Sequence, residues 1–204
     1  MILLKNNPKL LFLLCAKSGA GKDSILKEIT SQLGLQNALS FTTRPPRIKE
    51  QNMVDYEFIT KEDFKYKLQN NEIAEYVTYD VVNEEGLPDK WHYGLSMNQL
   101  TKDDFIITIV NPIGKKTLEN MPEFKDKIVS ILIETNDSLR LQRILARDNM
   151  TNEKCREMCR RYFSDEEDFK DICCDYIVYN NGELKECTSK VREIIVEEMM
   201  RVCL

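Results

Sequence analysis

Apolar and polar positions along the chain follow two periods, one of strands and one of helices. Leu10–Ala16 is a continuous apolar run, the pattern of a strand buried on both faces in a parallel sheet. It leads into Lys17-Ser18-Gly19-Ala20-Gly21, after which Ile25, Leu26, Ile29 and Leu33 recur at helical spacing until Gly34 stops the helix. Further strands are predicted at 56–59, 74–79, 105–110, 128–133 and 176–178, and helices at 61–69, 113–120, 138–147, 152–169 and 184–202. Strands alternating with helices predict an α/β fold with a mainly parallel sheet, and the more polar middle third reads as an insertion. Residues 83–90, with Gly86 and Pro88, read as a flexible loop. No internal repeat or low-complexity tract interrupts the pattern.

Composition narrows the function classes. With 204 residues, 42% apolar and 31% charged, the chain can bury one core or two small ones, which excludes disorder. A formal net charge of −5 gives the whole molecule no attraction for nucleic acid or an anionic membrane, so any anionic partner must meet a local basic site. The longest apolar run falls far short of the roughly 20 residues that span a bilayer. Asn6, Asn7 and Pro8 interrupt the opening Met1-Ile2-Leu3-Leu4-Lys5 before a signal peptide develops, so a cytoplasmic protein is expected. Seven cysteines, an odd number without a C-x-x-C pair, read as reduced thiols. Cys155 and Cys159 stand one helical turn apart without nearby histidines and read as small apolar residues rather than metal ligands. His92 is the only histidine; it reads as an ordinary loop residue and leaves little room for Ser-His-Asp or Cys-His chemistry.

The glycine loop carries the chemistry. Gly19 and Gly21 permit positive φ, so a tight turn can aim successive N–H groups at phosphate oxygens. The helix beginning beside Lys22 adds its positive end, and the ammonium completes a phosphate cradle. One such charge about 4 Å from a phosphate is worth roughly 4 kcal/mol at an effective dielectric near 20. Against the pattern G-x-x-x-x-G-K-[ST], Ala16 replaces the first glycine and Asp23 the hydroxyl residue; Ser24, one place later, can supply the hydroxyl. The alternative is a glycine turn that merely joins strand to helix.

A second anion site is suggested by Ser40-Phe41-Thr42-Thr43-Arg44-Pro45-Pro46-Arg47. Two guanidinium forks stand there on a stretch stiffened by consecutive prolines. Taken alone, it could equally be a solvated basic turn. Taken with Ser18-Gly19-Ala20-Gly21-Lys22, Val54-Asp55-Tyr56-Glu57-Phe58-Ile59, Glu72-Ile73-Ala74-Glu75-Tyr76, Tyr93-Gly94 and Asp175-Tyr176-Ile177-Val178-Tyr179-Asn180, the sequence resembles the guanylate kinase family over nearly its whole length.

That resemblance implies a P-loop NTPase three-layer sandwich. Its core would span 1–35, 101–136 and 171–204, with an acceptor-binding insertion at 36–100 and a helical lid at 137–170. It implies transfer of a phosphoryl group from ATP to GMP or dGMP with Mg²⁺ as cofactor. Ser18, Gly19, Ala20, Gly21, Lys22, Asp23 and Ser24 would hold the ATP phosphates, with the Ser24 hydroxyl toward the metal. Asn180 would lie beside the adenine, its amide either pairing with the base or capping a turn. Arg44, Arg47, Tyr56 and Tyr93 resemble the clamp on the acceptor phosphate, and Glu50 occupies a family position nearby. Ser40 and Glu75 resemble the readers of guanine; a carboxylate can accept from both N1–H and the 2-amino group, a donor pair adenine lacks. Arg143, Arg147 and either Arg160 or Arg161, with Arg161 the first choice, would close over the transferring group with Lys22 and Arg44. The plainer reading of those arginines is a helix face paired with Glu153, Glu157 and Asp165.

Three features depart from the family. Ile109 and Asn111 stand where acidic residues are usual, Leu95 follows Tyr93-Gly94 in place of a hydroxyl residue, and 83–90 reads as an insertion. Gly21-Lys22-Asp23-Ser24 and Asn111 are also similar to the ribose bisphosphokinase branch, against which the 42–47 segment argues. Two rivals therefore stand beside a GMP kinase: a kinase for another nucleotide or phosphorylated sugar, and a catalytically silent binding module. Retention of Lys22, Arg143 and Arg147 speaks against the second. Neither nucleic acid nor membrane is expected as a partner, and monomer and homodimer both remain open.

Overall fold

Leu10–Ala16 forms strand β1, and all seven residues are buried because a helical layer covers each face of the sheet around it. On one face Leu10, Phe12, Leu14 and Ala16 pack with Ile25, Leu26 and Ile29 of α1 (Lys22–Leu33) and with Cys187, Val191 and Ile195 of α7 (Leu184–Cys203). On the other, Leu11, Leu13 and Cys15 meet Leu118 of α4 (Pro112–Glu119), Phe124 and Phe169. The continuous apolar run thus serves two cores at once. The computed structural model describes residues 9–46, 50–83, 87–146 and 151–204. Arg47, Arg147 and the side chain of Glu153 lie outside the described residues.

The central sheet has the order β2 (Gln36–Asn37), β7 (Phe105–Val110), β1, β8 (Ile128–Glu134), β9 (Tyr176–Tyr179), and every pairing is parallel. This is the α/β fold with a parallel sheet that the alternating pattern predicts, layered between helices as the resemblance implies. A second sheet runs β4 (Glu57–Phe58), β3 (Ser40–Thr42), β6 (Pro88–Ser96), β5 (Ile73–Val82), and one face is covered by α2 (Lys61–Gln69) through Phe41, Phe64 and Ile73. The remaining helices are α3 (Met97–Leu100), α5 (Asp137–Leu145) and α6 (Asn152–Asp168).

Three expectations need correction. β2 pairs Gln36 with Ile106 and Asn37 with Ile107, so the segment after 36 first completes the central sheet, and the second sheet begins only at Ser40. Within the expected loop 83–90, Pro88, Asp89 and Lys90 belong to β6 and pair with Val82, Val81 and Asp80. Proline is tolerated there as the first residue of a strand, where its missing N–H is not needed. His92 is a strand residue, stacked on Phe64 at 5.1 Å with its Nδ1 against the Thr78 hydroxyl at 2.8 Å. Burial first, then Lys61 and Lys90, hold its pKa below the ordinary value, so it serves packing as a neutral ring. Among the described residues no helix is long and apolar enough to cross a membrane.

Candidate functional site

The glycine loop joins β1 to α1 at the carboxyl edge of the parallel sheet, where α/β folds bind ligands. Gly21 caps α1 with φ 91° and ψ 12°, and among the described residues no side chain caps the helix. Its first-turn N–H groups are therefore left for an anion. Side chains are excluded from the loop by packing as well as by φ. A Cβ on Gly21 would stand 2.7 Å from Asn180 Nδ2, and one on Gly19 (φ 82°) would stand 2.6 Å from the Arg140 carbonyl. Lys22 opens the helix, its side chain 25% exposed and its Nζ 3.3 Å from the Asp23 carboxylate. Asn180, 1% exposed, holds the loop from behind: its Nδ2 donates to the Ala20 carbonyl at 2.8 Å and its backbone N–H to Glu134 at 2.7 Å. Its Oδ1 is buried without a hydrogen-bond partner among the described residues.

The acceptor face is built by register. Ser40, Leu95 and Glu75 lie on one rung across β3, β6 and β5, and Thr42, Tyr93 and Val77 on a rung two residues away. Directly paired residues share a side of the sheet, so Ser40, Glu75, Tyr93 and, further along β5, Tyr79 all face the same way. Leu95 on that face is 0% exposed, packed into the core cluster with Ala38 and Leu100, so it forms a wall rather than a polar contact. Burial pushes the Glu75 pKa up from 4.5 to about 7, and its Oε2 has no partner among the described residues. That oxygen lies 2.8 Å from where a Cβ on Gly114 would be, so only glycine lets the carboxyl sit against the start of α4.

Arg44, 4% exposed, is held from every side. Its Nε donates to the Tyr93 hydroxyl at 3.1 Å, its NH1 to the Pro45 carbonyl at 2.8 Å, and NH1 and NH2 reach Glu50 at 2.9 Å each. Tyr56 and Phe58 rings lie 5.5 and 5.7 Å from the guanidinium. Desolvation lowers its pKa, yet the bonds to Glu50 and Tyr93 outweigh this and raise it. Glu50 therefore touches the arginine that the resemblance places in the clamp, in the bidentate geometry a phosphate would use.

Above both regions stand α5 and α6. Arg143 donates from NH2 to the Asn180 carbonyl at 3.1 Å, while its NH1 is buried without a partner among the described residues. Arg160 and Arg161 both bond Glu157, at 2.8 and 2.9 Å. Arg160, rather than the first-choice Arg161, reaches the acceptor face, its guanidinium 5.9 Å from the Tyr79 ring. Asn111 proves occupied as well: its Oδ1 caps α4 through the Gly114 N–H at 2.7 Å, and its Nδ2 donates to the Tyr79 hydroxyl at 3.4 Å.

Sequence reasoning missed Tyr79, Arg140 and the placement of Asp165. Tyr79 contacts Tyr93 edge-on at 5.7 Å and links the acceptor face to α6; the alternation Glu75, Val77, Tyr79 was the available signal. Asp165 accepts from the Ser18 backbone N–H at 2.6 Å. Helix α6 thus touches the glycine loop at Asp165 and the acceptor face at Arg160, five residues or about 7.5 Å of helix apart. One helix therefore contacts both regions.

Comparison with known proteins identifies the family. The sequence model of the guanylate kinase family matches residues 8–198. The guanylate kinase of Malacoplasma penetrans (strain HF-2) is 26% identical over 198 residues, covering 96% of this chain and 97% of that protein. That of Campylobacter jejuni (strain RM1221) is 27% identical over 196 residues, covering 93% and 89%. The crystal structure of guanylate kinase from Anaplasma phagocytophilum superimposes with a TM-score of 0.63 at 18% identity, covering 96% of this chain and 88% of that one, a likeness of fold.

Proposed function

The chain belongs to the guanylate kinase family, and on that premise we propose that it transfers the terminal phosphoryl group of ATP to GMP or dGMP, releasing ADP and GDP or dGDP. The observation that carries this reading is that one helix, α6, touches both the glycine loop, with its uncapped helix start and Lys22, and the face that holds Arg44, Tyr93 and Glu75. An acceptor phosphate oxygen is already anionic, so it attacks the terminal phosphorus without a general base as the bond to the ADP oxygen breaks. Catalysis then reduces to alignment and charge neutralisation, which suits a chain with one histidine, neutral and engaged in packing.

In this reading the backbone from Ser18 to Ser24 and the Lys22 ammonium hold the donor phosphates. Arg44, Arg47, Tyr56 and Tyr93 grip the acceptor phosphate, with Glu50 orienting Arg44. Glu75 accepts from the guanine N1–H and 2-amino groups, with Ser40 at the other end of the rung. The buried unpaired NH1 of Arg143 is available to the donor, and Arg147 and Arg160 with Arg161 supply further positive charge at the lid. Asn180 supports the loop, its amide N–H donor already given to Ala20.

Among the described residues no three His, Cys, Asp or Glu side chains group as a metal cage. The chain's donors for Mg²⁺ are the Ser24 hydroxyl and, beside it, the Asp23 carboxylate, 58% exposed. This suits a cation that takes one or two protein ligands and completes its shell with phosphates and water. When bound, Mg²⁺ supplies charge neutralisation on the polyphosphate. The reduced thiols expected from the sequence suit a cytoplasmic setting.

A coupled ADP-release assay over the common ribo- and deoxynucleoside monophosphates tests the reading. Turnover with GMP or dGMP well above AMP, CMP and UMP is expected; no turnover with any of them overturns it.

A further inference from the structure

Five charged residues not used in the roles above form one cluster at the first residues of the loop. Lys17 Nζ donates to Glu166 Oε2 at 2.8 Å, and the Ser18 backbone N–H donates to Asp165 Oδ2 at 2.6 Å. Both carboxylates belong to α6. Between them lies Arg140 of α5, 1% exposed, whose Nε donates to the Ser18 carbonyl at 3.0 Å. Its NH1 donates to Asp137 at 2.7 Å and Glu166 at 2.9 Å, its NH2 to Asp165 at 3.3 Å, and the Tyr162 ring lies 5.1 Å from the guanidinium. Asp165 and Glu166 are 17% and 35% exposed, so water screens the cluster only in part.

The charges do not cancel. Among the described residues three carboxylates, Asp137, Asp165 and Glu166, share hydrogen bonds from two cations, Lys17 and Arg140, and Arg160 acts on Asp165 only at longer range, which leaves a negative excess at the mouth of a loop shaped to receive a polyphosphate. Burial raises the Glu166 pKa, but hydrogen bonds from Lys17 and Arg140 outweigh it and hold the group below its ordinary value, so it is ionised at neutral pH. The contact at Ser18 has the short, charge-assisted form that a phosphate oxygen makes on such a loop. Arg140, in contrast, bonds the loop through a carbonyl, which no phosphate competes for.

Resting on the kinase reading, we infer that Asp165 is a gating carboxylate of the donor site. Without nucleotide it occupies the Ser18 amide and ties α6 to the loop. Its charge opposes the incoming polyphosphate, so donor binding is coupled to release of that contact, while Arg140 keeps α5 attached through the Ser18 carbonyl. Apparent donor affinity is reduced by the fraction of molecules with the gate closed.

Isothermal titration of Mg-ATP into the full chain, its Asp165→Asn variant and its Glu166→Gln variant tests the gate, with adenosine as a ligand lacking phosphate. An Asn carbonyl can still accept from the Ser18 N–H, so a merely structural strut would bind ATP as before. The gate predicts about 5- to 10-fold tighter Mg-ATP binding for Asp165→Asn, within the usual range of coupling between sites. A smaller gain is expected for Glu166→Gln, adenosine binding should not change, and the gain should shrink in high salt. Thermal melts establish that each variant is folded, and Asp165→Ala, if the Asn variant melts early, provides the second measurement. Equal or weaker Mg-ATP binding by folded variants overturns the gate and leaves the kinase reading intact. Absence of Mg-ATP binding in every protein, the unaltered chain included, overturns both.

Discussion

Two cationic residues, one at the glycine loop and one beside the second sheet, are built in opposite ways. Arg44 is 4% exposed, and each guanidinium nitrogen has a partner in Tyr93, Pro45 or Glu50. Lys22 extends from an uncapped helix start, its side chain 25% exposed, and meets only the neighbouring carboxylate of Asp23 at 3.3 Å among the described hydrogen bonds. Folding has already met the ordering cost of the acceptor cation, whereas the donor cation is ordered by its ligand. On the proposed kinase reading, the difference means that one site is preorganised for a single monoester phosphate, and the other is left adjustable for a polyphosphate whose terminal group departs. It also separates stability from activity: damage at Arg44 should appear in the fold, and damage at Lys22 in turnover.

The largest expected effect breaks that contrast on the donor side. Lys22→Met should lower kcat/KM by about 10³-fold, from the roughly 4 kcal/mol of one ammonium beside a phosphate, with little change in Tm. Steady-state kinetics beside a thermal melt check it, and a large fall in Tm would show Lys22 to be structural. On the acceptor side, Arg44→Met removes a buried guanidinium with its bonds to Tyr93, Pro45 and Glu50, and should cost about 3 kcal/mol in denaturant unfolding. A double-mutant cycle with Glu50→Met should show a non-additive coupling, because the two side chains share a bidentate pair.

A smaller effect probes the loop itself. Gly21→Ala places an L side chain at φ 91° and within 2.7 Å of Asn180 Nδ2, which should cost about 2 kcal/mol in stability and weaken Mg-ATP binding measured by titration. Unchanged ATP affinity would mean that the loop tolerates the shift and that its shape is not decisive.

The smallest effect concerns Glu75, whose carboxyl is held neutral more readily in the folded protein. With its pKa raised from 4.5 to about 7, the folded state binds more protons than the unfolded between those values, so stability falls as pH rises through that window. Glu75→Gln should therefore gain on the order of 1 to 2 kcal/mol over the unaltered chain at pH 8 and nothing near pH 4, as read by melts across pH. Guanine recognition moves the other way. The ionised form is the one that accepts from both base donors, so KM for GMP should fall as pH rises through about 7, and that dependence should vanish in Glu75→Gln. A pH-independent KM in the unaltered chain would remove Glu75 from base reading.

Much of this was legible in the residue order. β7 was expected at 105–110 and α2 at 61–69, and both are found there, since each depends on a local period that neighbours do not override. β6 was largely hidden. Its Pro88 and Gly94 look like turn residues, which masks the hairpin it forms with β5 just before it, and its other partner, β3, lies far back in the sequence. The candidate site divides in the same way. Gly19, Gly21 and Lys22 form a contiguous signal and sit together; Tyr79 and Arg140 carry no motif, and their partners lie 32 and 122 residues away.

By itself, therefore, the sequence determined the α/β alternation, the doubly buried β1, the glycine loop with its helix and the chemical types available to each site, because all of these follow from spacing within one element. Only the tertiary structure decided which charges meet: that Glu50 takes the fork of Arg44, that Arg160 rather than Arg161 leans on Tyr79, and that Asp165 lies on the Ser18 amide. The physical reason is that a hydrogen bond or ion pair needs its two groups within about 3 to 4 Å, a condition set by how separate elements pack and not by the order in which their residues are joined.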